Sequence, residues 1–415
     1  MPERENAPQP LSLAILLGGP GVEGGIDGPG EPATTWRTSE GLGRVEPTGF
    51  GLGFFQDPVP LIEHAGASGV DEVFLRISWA RINPREGVID TLALDQYGEI
   101  IRLLVAQGLK VSLVLSDGTA PNWFGGEGWL LPSSPERFAQ YSSAVALALG
   151  SDIDGVVTFE EPASWALQSW LTGRVPPFRL FSAADVMAGL DAMLSAHCLA
   201  KRSWSESFPN IAVSYIHSPP VRGLDLEALV LGHSAATPLA RMLERWVPGR
   251  AKREAEGPQG DLIVVVGQWP RSSLRARVLL QSAAQDSVTA LSASQFIDLA
   301  NVRSDRDSLS VLLRHVAAIV DRNGRHLQLQ GHRRIHELNA LRGELVSGAS
   351  GSGAKRLIVG ELTDRWRSGS YRVREGFLGV DRTRGAHGVS LLATDSSGVG
   401  AFAELREFAR VVNHR

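Results

Sequence analysis

The 415-residue chain lacks several features that define whole classes of protein. With one cysteine, Cys198, it can form neither an intrachain disulfide nor a cysteine-based zinc site. A lone thiol fits a reducing cytoplasm, which is the expected location. A formal net charge of −4 supplies no field that would draw the chain to nucleic acid or to an anionic membrane. Lysine is scarce: of 41 basic residues only Lys110, Lys201, Lys252 and Lys355 are lysine, and the rest are arginine. No apolar run approaches the roughly 20 residues of a membrane-spanning helix. The stretch Leu11–Leu17 is too short for a secretion signal and has no basic flank, so it reads as a first strand behind a flexible tail at residues 1–10. No HExxH pattern, dense His/Asp/Glu cluster or dinucleotide fingerprint is present, so neither metal nor cofactor is expected. What these absences leave is a soluble chain whose expected partner is a small molecule.

What is present is alternation. Short β-branched runs occur at Leu11–Leu17, Glu72–Ser78, Lys110–Leu115, Gly155–Phe159, Ile211–Tyr215, Asp261–Val266, His326–Gln330 and Arg356–Val359. Between them, apolar residues recur three and four apart over Leu92–Gln107, Pro135–Leu149, Ala183–Ser203 and Leu309–Arg322. Eight strands separated by helices predict an α/β fold, most simply a single (β/α)8 barrel over residues 11–415, with an open doubly wound sheet as the alternative. Two small-residue stretches interrupt the pattern. Ser347–Ala354 reads as a loop before the last strand, and Gly18–Gly30 has neither the lysine nor the GK[ST] ending of a phosphate cradle.

The run Val156–Phe159 ends in Glu160, Glu161 and Pro162. Two acids at the end of a buried strand need a reason, because desolvating a carboxylate is costly unless it is paired or used. In a barrel the carboxyl ends of the strands face the active-site mouth. Here the sequence resembles the family-1 glycoside hydrolases, the β-glucosidase-like enzymes. VFLRISWARINP at 73–84, with Ser78, Trp79, Arg81 and Ile82, resembles that family's second-strand motif. GWLLPSSPERFAQYSSAVALALG resembles the helix after its third strand, TFEEP at 158–162 its TFNEP acid/base motif, and SYRVREGFLGVDRTRG at 370–385 the segment after its eighth strand.

The resemblance implies a barrel with two carboxyl groups about 5 Å apart, one an acid/base and one a nucleophile. Glu161 stands at the acid/base position, but the nucleophile position falls on Leu329, flanked by Gln328 and Gln330. Neither leucine nor an amide forms a glycosyl ester. Most sugar-binding positions implied by the resemblance are also replaced: the first-strand glutamine by Gly21, the third-strand histidine and tryptophan by Asp117 and Gly118, the asparagine before the acid by Glu160, and the second-strand arginine by Phe74. Arg76, two residues on, shares the face of Phe74 by period-two alternation.

The candidate catalytic residues are therefore Glu161 as acid, with Glu160 and Asp117 as partner carboxylates. Asp117 has an alternative role in capping the turn at Asp117–Pro121. Arg76 is expected either to pair with a carboxylate or to receive an anionic group. His217 follows the fifth strand and can reach the mouth, with a structural role as the alternative; Gln268, Gln328 and Gln330 offer neutral polar contacts, Glu361 and Asp364 are reserve carboxylates, and Trp123, Trp165, Trp170, Trp269 and Trp366 are candidate walls for an apolar ligand. Three readings follow: a repurposed acid/base enzyme, a glycosidase with a relocated second carboxylate, and a barrel that binds its ligand without turning it over.

Overall fold

A computed structural model describes residues 12–24 and 32–217, Leu226, Val230, the strands at 262–267, 277–278, 282–284, 287–289, 297–298, 326–330, 356–363, 376–378, 380–381 and 390–391, and the helix at 401–413. All eight runs named above as strands form: β1 (Ser12–Gly18), β2 (Glu72–Arg76), β3 (Lys110–Val114), β4 (Gly155–Glu160), β5 (Ala212–His217), β6 (Leu262–Gly267), β7 (His326–Gln330) and β8 (Arg356–Thr363). Each pairs in parallel with the next, and β8 returns to pair with β1 from Ser12↔Arg356 to Leu16↔Glu361. These eight strands form a closed parallel barrel, not an open sheet.

The strand ends differ from expectation for local reasons. β2 stops at Arg76 because Ser78 becomes a helix cap: its hydroxyl accepts from the Arg81 amide at 3.2 Å and opens a short helix at Trp79–Ile82. β8 runs past Val359 to Thr363 because its upper half gains a parallel partner, β9 (Gly376–Leu378). Of the expected helices, Thr91–Ala106 begins where the Asp90 carboxylate caps Ala93 N at 3.1 Å, and its Leu94, Tyr97, Ile100, Ile101 and Leu104 form one buried stripe. The helix Ser134–Leu149 packs against the long helix Ala183–Ser207, with Trp204 Nε1 donating to Ser142 Oγ at 2.9 Å. Leu309–Arg322, Ser347–Ala354 and the tail at 1–10 lie outside the described residues.

Two apolar layers result. Ala14, Leu16, Phe74, Val114, Val157, Ile216 and Ile358 form a cluster of their own inside the barrel. The larger cluster lies between strands and helices, where Trp79 is ringed by Trp123, Phe124, Trp129, Phe138 and Tyr141. The tryptophan of the SWARI stretch is thus a core residue. Among the described residues, no helix is long and apolar enough to cross a membrane.

Candidate active site

The interior layer leads directly to the site. Continuing the alternation from Phe74 raises Arg76 one layer toward the mouth, where it is buried. The same rule applied to β4 would turn Phe159 inward after Val157. Instead the β4–β5 ladder slips between Val157 and Glu160, Phe159 stacks outward on Phe138 at 4.5 Å, and Glu160 points into the barrel. In β8 the ladder to β1 passes from Ala14↔Ile358 to Ile15↔Gly360, and this second irregularity lets Glu361 turn inward. Two bulges thus deliver two carboxylates to one arginine.

Arg76 holds both. Its Nε and Nη2 donate to Glu160 at 2.7 and 3.0 Å, and its Nη1 and Nη2 donate to Glu361, each at 2.8 Å. These bonds use four of the five N–H groups of a guanidinium. Burial works against the charge on Arg76, but the pull of Glu160 and Glu361 outweighs it and raises its pKa well above the usual arginine value. The arginine expected to take one carboxylate takes two, from strands on opposite sides of it.

Glu161 follows immediately. Its backbone is left-handed, φ 51° and ψ 58°, a conformation that costs a non-glycine residue roughly 1–2 kcal/mol. The surroundings fix it there. Glu160 N donates to Ser116 O and Glu161 N to Ile216 O, both at 2.9 Å, while Glu161 O accepts from Trp165 N in the first turn of the helix Pro162–Trp170. The kink breaks the alternation that would send consecutive side chains to opposite faces, and Glu160 and Glu161 are both buried.

On the other flank, a β-carbon added at Gly19 would stand 3.4 Å from Asp117 Oδ2 and 3.6 Å from Arg76 Cδ, so both side chains border the bare face of that glycine. Asp117 also performs its alternative role, its Oδ1 accepting from Thr119 N at 3.0 Å. Beneath this lies a residue the sequence reasoning passed over. Glu23 is buried; its Oε1 accepts from the Tyr97 hydroxyl at 2.8 Å, and its Oε2, 3.8 Å from Arg81 Nε, has no hydrogen-bond partner among the described residues. Burial pushes its pKa up to about 7, with Asp117 adding to the rise and Arg81 and Tyr97 opposing it. A glutamate in a glycine-rich stretch just past the first strand was the available signal. Arg81 in turn donates to Gly24 O at 2.7 Å, lies 3.8 Å from the Phe55 ring centroid, and borders a cavity of about 790 Å³ that Arg76, Glu160 and Glu161 do not line.

The structure therefore brings Arg76, Glu160 and Glu361 together, with Glu161 next in the chain and Asp117 bordering the same glycine, Gly19, as the arginine stem. Trp123 sits apart in the aromatic core, its Nε1 donating to Asn83 O at 2.6 Å and its ring edge-on to Trp79. His217 ends β5, and Gln328 and Gln330 lie on β7. Gln268, Trp269, Asp364 and Trp366 lie outside the described residues.

Residues 60–222 match the family model described as glycosyl hydrolase family 1. Beta-glucosidase 40 of Arabidopsis thaliana is 28% identical over 169 residues, which is 38% of this chain and 32% of that protein. A beta-glucosidase of Agrobacterium sp. is 28% identical over 151 residues, 36% of this chain and 32% of that protein. A chloroplastic galactolipid galactosyltransferase of Arabidopsis thaliana is 27% identical over 134 residues, 30% of this chain and 21% of that protein. The matched segment thus spans a third or less of these relatives. In three dimensions the likeness is longer. The Thermotoga maritima beta-glucosidase solved with castanospermine superposes with a TM-score of 0.76 over 98% of both chains at 16% identity, and the AHE enzyme from Alicyclobacillus herbarius with 0.78 over 100% of both at 17%. At such identities the likeness establishes the fold.

Proposed function

The chain is a family-1-glycoside-hydrolase-like (β/α)8 barrel, and from that premise we propose that it is a general acid/base enzyme acting on a small molecule other than an ordinary β-glucoside, with Glu161 as the proton donor. The observation that carries this reading is the conformation of Glu161: a buried glutamate held in the left-handed region at the mouth of the barrel. Backbone strain of this kind persists where the surroundings over-determine it, and it concentrates at active sites.

The partner carboxylates support proton donation better than double displacement. Glu160 and Glu361 are held by charge-assisted hydrogen bonds to Arg76, which occupy the oxygens an attacking carboxylate would need. Leu329 at the nucleophile position offers no substitute. Fixed negative charge is suited instead to stabilising positive charge that develops in a transition state. Protonation of a substrate oxygen by Glu161 and cleavage of the adjacent C–O bond, with the electron pair leaving on that oxygen, give a carbocation; attack by water, attack by an internal alkene or loss of a β-proton then gives hydrolysis, cyclisation or elimination, and the proton released in that step returns to the Glu161 carboxylate.

The test compares wild type with Glu161→Gln on aryl β-glycosides and on acid-labile enol ethers and epoxides. The expected outcome is negligible turnover of the glycosides and turnover of an acid-labile substrate that the variant loses by a factor on the order of 10²–10⁴. Equal rates for the two proteins would remove Glu161 from the chemistry. Strong hydrolysis of the glycosides by wild type, lost in the variant, would replace this reading with a glycosidase whose second carboxylate has moved.

A further inference from the structure

Arg76 commits four of its five guanidinium N–H groups to two carboxylates, and the barrel departs from regular geometry twice to supply them. Stability does not explain the arrangement. Buried ion triads are commonly matched or exceeded in stability by apolar residues of similar volume. The layer directly beneath, from Ala14 to Ile358, is filled that way by plain alternation. Two glycines lie against Arg76: a β-carbon at Gly18 would lie 2.7 Å from its backbone O, and one at Gly19 would lie 3.6 Å from its Cδ.

Glu160 is the only arm of the cluster covalently joined to the residue read as the proton donor. Its carboxylate is fixed by a two-point fork that defines direction as well as distance. The backbone bonds at Ser116 O and Ile216 O orient the two peptide units on either side of the Glu160 α-carbon. The anchored Glu160 side chain is a third tether on that carbon, and it resists any rearrangement that would swing the junction away from the barrel axis. Glu361 supplies the counter-anchor, holding the guanidinium in the plane in which it can grip Glu160.

We infer that Arg76 is a positioning residue which, through its fork onto Glu160 and with Glu361 as counter-anchor, holds the 160–161 junction in the kinked conformation that presents Glu161 to the mouth. The inference rests on the reading of Glu161 as proton donor. Arg76 touches no reacting atom; it acts through its neighbour.

Crystal structures of Arg76→Lys and Glu361→Gln, with turnover measured alongside, test it. Lysine keeps the charge but loses the fork, so in Arg76→Lys the Glu161 backbone should leave the left-handed region and its side chain should turn from the mouth while the barrel stays closed. Glu361→Gln keeps the fork on Glu160 and weakens only the counter-anchor, so Glu161 should shift less than in Arg76→Lys. On the acid-labile substrate, Arg76→Lys should lower kcat at least tenfold with KM within twofold, and the loss should not add to that of Glu161→Gln. An Arg76→Lys structure with Glu161 unmoved overturns the inference whatever the activity. If Arg76→Lys fails to fold, Glu160→Ala removes the same link and is judged by the same criterion. The two claims separate cleanly: a displaced Glu161 in a protein that never needed it for turnover sinks the functional reading and keeps the positioning, and an essential Glu161 that ignores Arg76 does the reverse.

Discussion

Two buried side chains, Glu23 and His197, carry opposite proton linkages. His197 lies between helix and barrel, its Nδ1 2.7 Å from Thr158 Oγ1 and its ring edge-on to Tyr215; burial, with the nearby charge of Lys201, lowers its pKa from 6.5 to about 3. Between those values the unfolded chain binds a proton that the folded one refuses, so the contribution of His197 is complete above pH 6.5 and is lost as pH falls toward 3, by about 1.4 kcal/mol per pH unit. Glu23 behaves inversely. Its pKa rises from 4.5 to about 7 on folding, so its contribution is complete below pH 4.5 and is lost as pH rises through 7. From pH 4.5 to 6.5 the two slopes oppose each other. Urea unfolding across that window should therefore show stability rising with pH in Glu23→Gln and falling in His197→Gln relative to wild type. Parallel profiles for all three proteins would show that neither group is titrating as its surroundings dictate.

At the scale of elements, the packing of the loop after β3 against the helix that follows Glu161 rests on one glycine. Gly118 has φ +97°, and a β-carbon there would lie 2.4 Å from Cε3 of Trp165. Gly118→Ala combines backbone strain with overpacking and should cost about 3 kcal/mol in denaturant unfolding, with Trp165 displaced; a loss within experimental error would mean that the loop relaxes freely. The sequence made this architecture visible where a rule of fixed period applied. Eight β-branched runs became eight strands, and alternation from Phe74 placed Arg76 inside. The pairing of Arg76 with both Glu160 and Glu361 was hidden because each carboxylate turns inward at a slipped ladder, and a one-residue slip reverses the face that period two assigns. Glu161 was legible from its motif, while its left-handed backbone was not, since the residue before a proline is ordinarily pushed toward extended conformations. Trp123 was placed near the mouth by its alignment, which does not show that its ring stands edge-on to Trp79.

For the whole molecule, the decisive feature is closure. The family match covers residues 60–222, which reaches only β2 to β5, yet the barrel is completed by β6 to β8 and by the pairing of β8 with β1. A fragment ending at residue 217 would leave β1 and β5 as open edges, expose the inner face of Leu16, Phe74, Val114 and Ile216, and deprive Arg76 of Glu361 while Glu160 remains. Parallel strands are stable only when both faces are covered. Residues 12–217 expressed alone should therefore be insoluble, or soluble without near-ultraviolet circular dichroism and without cooperative unfolding. Co-expression with residues 218–415 should restore a soluble complex, because the missing strands then supply both edges. A monomeric 12–217 fragment that unfolds cooperatively would show instead that the half bearing the motif is an independent unit. The Arg76–Glu361 pair would then be a contact between two autonomous halves, not a product of closing one barrel.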